Sequence, residues 1–114
     1  MIDTEGYGVK RMFQKRFLVH SFLYYKLDDS IISDSDYDIL CKKMIDAMNR
    51  VEKPTPYDDL CRPCGDTGSG FYIKEYPPEI VTSALRVLYK HKQQDPHFTQ
   101  SFSAFISKWG YEIK

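Results

Sequence analysis

The chain has 114 residues, 42% of them hydrophobic and 28% charged, the composition of one modest globular domain rather than a disordered segment. Sixteen basic residues balance sixteen acidic ones, which argues against a protein that grips a nucleic-acid backbone, since that task needs an excess of Lys and Arg. No apolar run approaches the ~20 residues of a membrane span, and the polar start MIDTEGYGVKR lacks the apolar core of a signal peptide. The expectation is a cytoplasmic protein without membrane contact, with Cys41, Cys61 and Cys64 reduced.

In chain order, a first helix is expected from about Tyr7 to Leu27. Phe13, Phe17, His20, Tyr24 and Leu27 recur at spacings of four and three and share one face. Lys10, Arg11, Lys15 and Arg16 lie in its first half, where they oppose the helix dipole, so another use for them is expected. After the connector DDSIIS, a second helix is expected near Asp34 to Val51, with Tyr37, Leu40, Cys41, Met44, Ile45, Met48 and Val51 as its buried stripe. Ser33 fits its N-cap with Asp36 three residues on, and Ile32 and Tyr37 fit a hydrophobic staple. A connector this short predicts an antiparallel helical hairpin over residues 7–52.

Residues 53–76 break the pattern with prolines and glycines and read as a long loop. FYI inside the loop and YEI near the C-terminus could pair as a small β-hairpin. Two further helices are expected within residues 77–109. One starts at the proline pair before Glu79 and buries Ile80, Val81, Ala84, Leu85 and Leu88. The other runs near Phe98 to Lys108, with Phe98, Phe102, Phe105, Ile106 and Trp109 on one side and Gly110 as its stop. The expected fold class is mainly α: a hairpin, two further helices and a Gly/Cys loop.

The stretch YYKLDDSIISDSDYDIL, Tyr24 to Leu40, gathers five aspartates and three tyrosines. Carboxylates in a first helical turn are favoured by the dipole and the free N–H groups there. That accounts for Asp34, Asp36 and Asp38, but not for Tyr24, Tyr25 and Asp28. A ligand pocket at the hairpin mouth is the other reading. Carboxylates accept from ribose diols and carboxamides, and tyrosine faces suit a flat cationic heterocycle.

HSFLYYKLDDSIISDSDYDIL resembles the N-terminal helical domain of bacterial NAD-dependent DNA ligases, often called Ia. That domain carries a pattern close to Y-x-YY-x-x-D-x-P-x-I-x-D-x-E-Y-D-x-L, and the match runs from His20 to Met44. The resemblance implies a hairpin that recognises the nicotinamide mononucleotide half of NAD. It places ligand contacts on Tyr24, Tyr25, Asp34, Tyr37 and Asp38. Tyr25 stands where the family often has histidine, Ser30 where it has proline, and Asp36 where it often has glutamate. The chain carries no K-x-D-G motif for the ligase's lysine nucleophile, so the resemblance implies a fold and a ligand class, not ligation.

CRPC, Cys61 to Cys64, is half of a zinc-site spacing, but Cys41, His91 and His97 complete no familiar set, and no bound metal is expected. Gly65, Gly68 and Gly70 form a glycine-rich loop suited to approach a phosphate or to close over a ligand as a lid. No serine or cysteine has an evident His–Asp partnership, so no catalytic residue is expected. The leading expectation is a non-catalytic binder of NAD, NMN or an ADP-ribose-like nucleotide, with no other cofactor. Such a binder would suit sequestration of an NAD-derived signal, as in viral counter-defence. The alternatives are a protein-interaction module or ligase accessory with a vestigial pocket, and an enzyme that hydrolyses or rearranges NAD through the aspartates.

Overall fold

A computed structural model describes residues 4–112, with side chains from residue 6 onward. It is mainly helical, and no strand occurs among the described residues. Helix α1 spans Thr4–Tyr25 and α2 spans Asp34–Arg50. Two one-turn helices follow, α3 (Asp58–Cys61) and α4 (Cys64–Thr67), then α5 (Pro78–Lys92) and α6 (Phe102–Ser107). Helix α1 is the central element, packed against both α2 and α5. Its residues Phe17, Leu18, Phe22 and Leu23 share the core with Met44 of α2, Ile80 and Leu88 of α5, and Phe105 of α6.

The hairpin forms as its local signals dictate. Helix α1 ends at Tyr25, and Asp28 takes a left-handed φ of 52°, a conformation that aspartate tolerates better than most residues. Ser33 is extended, and its hydroxyl accepts from the Asp36 N–H at 3.1 Å, capping α2. The helices run antiparallel: Lys10 near the start of α1 meets Val51 after α2, while Ser21 near the end of α1 meets Tyr37 at the start of α2.

Four expectations are corrected. The loop at residues 53–76 holds α3 and α4, because Arg62 and Pro63 between them also keep helical angles and the CRPC segment coils almost continuously. FYI is not a strand; Ile73 N–H turns back to the Gly70 carbonyl at 3.0 Å and buries the Ile73 side chain. Only Tyr111 and Glu112 of YEI lie within the described residues, and neither is in a strand. The last helix starts at Phe102 rather than Phe98, because Ser101 is extended and its hydroxyl caps Ala104 N–H at 3.2 Å. Phe98 instead closes a turn on Asp95 and packs edge-on against Tyr89 and Phe105.

Lys10 has the other use that its unfavourable helix position implied. Its buried ammonium donates to the Val51 and Lys53 carbonyls at 3.1 and 3.0 Å and pairs with Asp58 at 3.2 Å. Gln14, fully buried, donates to the same carboxylate at 2.8 Å and accepts from the Thr55 hydroxyl at 2.5 Å. This network ties the middle of α1 to the end of α2 and the start of α3. Burial alone would raise the Asp58 pKa, but hydrogen bonds from Gln14, Lys10 and Thr55 outweigh it and hold the carboxyl below its ordinary value.

Two outcomes follow for stability. Lys10→Met strands a largely buried carboxylate and should cost about 3 kcal/mol in urea unfolding. A depressed folded pKa means that Asp58 contributes stability above its unfolded pKa, and that this is lost as pH falls through the folded value. Asp58→Asn should therefore flatten the acid limb of the stability curve, read by unfolding at about pH 7 and about pH 3.

Candidate functional site

The acidic stretch divides by role. Asp28 makes the left-handed turn. Asp29 pairs with Lys92 of α5 at 3.1 Å, anchoring the connector. Asp36 supplies the backbone N–H that Ser33 caps. Asp38 pairs with Lys42 at 3.1 Å across one helical turn, both side chains well exposed. Asp34 is exposed in the first turn of α2 and makes no ion pair with a described residue.

The three tyrosines come together at the hairpin mouth. The Tyr24 and Tyr25 rings meet edge to face with centroids 4.7 Å apart. Tyr37 lies nearly parallel to Tyr24 at 6.2 Å and 15°, and nearly parallel to Phe17 at 6.2 Å and 24°. Tyr37 is thus flanked by a ring on each side. Its hydroxyl is occupied as well: it lies 2.7 Å from Ser21 Oγ and accepts the Gly70 N–H at 3.0 Å. Burial holds the Tyr37 phenol well above its ordinary pKa, so it stays protonated. This geometry makes Tyr37 the support of an aromatic surface whose accessible rings are Tyr24, 41% exposed, and Tyr25.

Sequence reasoning missed Phe71. Its ring stands edge-on to Tyr25 at 5.8 Å and is 78% exposed. The signal available was an aromatic residue directly after the glycine loop, which reads equally well as a strand residue. The structure places it beside the tyrosines because Gly70 docks on α1. A Cβ at Gly70 would lie 2.5 Å from Ser21 Oγ, 2.8 Å from Ser21 Cβ and 3.2 Å from Phe17, so only glycine lets the loop sit this close.

The other two glycines serve a neighbouring groove. Gly65 and Gly68 line a cleft of about 400 Å³ between α2 and α4, together with Asp38, Cys41, Lys42, Ile45, Asp46, Asn49 and Cys64. Gly68 ends α4 with a left-handed φ of 77°. The groove and the aromatic surface adjoin through α2, where Tyr37 and Cys41 lie one turn apart. Tyr24, Tyr25 and Tyr37 therefore meet directly, with Gly70 bonded to Tyr37, while Asp38, Gly65 and Gly68 stand together on the adjacent face.

Arg11, in the first half of α1, stands away from the hairpin mouth. Arg11 lies near Tyr57, which donates to Glu79 at 2.9 Å, and thirteen residues, or about 20 Å, along α1 from Tyr24. Lys42 is the cation that borders the groove. His20 is half-buried, and burial first, then Arg16, lower its pKa; its Nδ1 has no hydrogen-bond partner among the described residues. No group of three or more His, Cys, Asp or Glu among the described residues is arranged to hold a metal ion, and no described helix is long and apolar enough to cross a membrane.

No family model matches this chain, and neither a curated protein nor a solved structure matches it.

The docking of the loop on Tyr37 makes a stability prediction. Gly70→Ala should cost about 2 kcal/mol by overpacking against Ser21 and Phe17. Gly65→Ala, whose added Cβ would meet only Ile45 at an ordinary 3.7 Å, should be neutral or stabilising. Urea unfolding of the two variants side by side checks the contrast.

Proposed function

We propose that this chain is a non-catalytic binding module for a nicotinamide nucleotide or a related NAD-derived molecule, held at the hairpin mouth. The observation that carries this reading is the convergence of Tyr24, Tyr25 and Tyr37 under a glycine loop that brings Phe71 beside them. The outer face of Tyr24 and the rings of Tyr25 and Phe71 offer stacking surface for a flat base or a nicotinamide ring. Asp34 and Asp38, on the same helix as Tyr37, supply acceptors for ribose hydroxyls, and Lys42 supplies a cation for a phosphate. The resemblance of residues 20–44 to the ligase Ia domain points to the same ligand class. In this reading Tyr37 supports the platform and does not itself stack on the ligand. The biological use would be sequestration of an NAD-derived signal.

A second reading keeps the aromatic surface and changes its occupant. Phe71, 78% exposed, and Tyr24, 41% exposed, both meet Tyr25 edge-on and make an apolar patch of the kind that proteins dock against. A protein partner, such as a ligase or a nucleotide-sensing enzyme, would then cover it.

Calorimetry with NAD, nicotinamide mononucleotide and ADP-ribose separates the two. The nucleotide reading expects binding to at least one of them, weakened about tenfold or more by Tyr24→Ala and by Phe71→Ala, a loss of about 1.4 kcal/mol for each ring. Circular dichroism of both variants should be unchanged, since both side chains are exposed. No heat with any of the three would overturn the nucleotide reading and favour the protein partner, and nucleotide binding that neither substitution weakens would overturn this site.

A further inference from the structure

The α5–α6 end of the molecule holds a cavity that the hairpin-mouth site does not use. Its volume is about 460 Å³, inside the range of roughly 300–1,000 Å³ that holds small molecules. Val81 and Leu85 of α5 and Ile106 of α6 give it an apolar wall, and the rings of Tyr76, Phe102 and Tyr111 add flat surface. Two opposite charges stand on the same lining. The Arg86 guanidinium lies over the Phe102 ring, 4.9 Å from its centroid, and has no ion pair or hydrogen bond with a described residue. Glu112 lines the cavity too, and it likewise has no partner among the described residues. The two charges share one cavity without pairing with each other. The Tyr76 hydroxyl is buried and has no hydrogen-bond partner among the described residues. Buried polar groups without a partner are uncommon, and each calls for an explanation.

We propose that this cavity is a binding site for a free α-amino acid with an aromatic or branched apolar side chain. The charges decide the class of ligand. A simple carboxylate would pair with Arg86 and leave Glu112 facing it with like charge, and a simple amine would meet the reverse conflict. A zwitterion satisfies both. Its carboxylate takes two parallel N–H groups of the Arg86 guanidinium, and its ammonium donates to Glu112. The Phe102 ring beneath Arg86 holds the guanidinium at the cavity rim, which lowers the cost of ordering it. The ligand side chain leaves water against Val81, Leu85 and Ile106, where apolar surface is what the wall offers. A residue inside a peptide does not fit, because a peptide bond at either end removes one of the two charges. The site lies apart from the hairpin mouth and does not rest on the nucleotide reading.

Calorimetry of the full chain with phenylalanine and leucine tests this, beside N-acetylphenylalanine and phenylalaninamide, which each lack one of the two charges. The expected result is saturable binding of at least one free amino acid, with each blocked analogue weaker by about tenfold or more. Arg86→Gln and Glu112→Gln should each weaken binding by about the same factor. Both side chains are exposed, so the melting temperature of the unliganded variants should not move, whereas a purely structural role would move it. Nuclear magnetic resonance of the labelled chain should place the amino-acid shifts at Val81, Leu85 and Ile106. No heat with either amino acid at millimolar concentration would overturn the proposal. So would full affinity for either blocked analogue, full affinity in either variant, or shifts centred on Tyr24 and Phe71.

Discussion

The hydroxyl of Tyr37 is the point on which the upper half of this structure depends. It sits where α1, α2 and the glycine loop converge, 2.7 Å from Ser21 Oγ and accepting the Gly70 N–H at 3.0 Å. A backbone N–H brought this deep against two helices needs a partner, and Tyr37 is that partner. The approach is open only to glycine, because Ser21 and Phe17 occupy the space of any Cβ. One phenol thus sets the height of the loop and the position of Phe71, and holds the stack of Phe17, Tyr37 and Tyr24 in register.

The lower half is fixed by a second polar node. Lys10, Gln14, Thr55 and Asp58 satisfy one another in a largely dry space and also take up carbonyls left over beyond α2. The two nodes clamp opposite ends of the Gly/Cys segment. Between them lie α3 and α4.

Much of the hairpin was legible in the sequence because its signals are local. Ser33 caps α2 as its spacing to Asp36 implied, and Phe17, Leu27 and Met44 bury as their periodicity implied. The clustering of the tyrosines was legible from the hairpin itself, since side chains at one hairpin mouth are close wherever the hairpin forms. What was hidden depends on contacts between distant residues. Nothing near Lys10 announces Asp58, forty-eight positions on. Phe71 joins the tyrosines only because Gly70 packs on Ser21, and Cys64 reaches the groove beside α2 only because α4 packs on α2. The short coil of α3 and α4 was masked by its prolines and glycines, which favour turns until burial of Cys61 and Cys64 decides otherwise.

The central claim is that the aromatic surface at the hairpin mouth is where a nicotinamide nucleotide binds. The most direct measurement is a nuclear magnetic resonance titration of isotopically labelled protein with nicotinamide mononucleotide. The account predicts saturable shifts centred on Gly70, Phe71 and the Tyr24, Tyr25 and Tyr37 rings, with the Asp34–Asp38 amides following and α5 and α6 unmoved. Shifts centred on the α5–α6 face, or no shifts at saturating nucleotide, would contradict it.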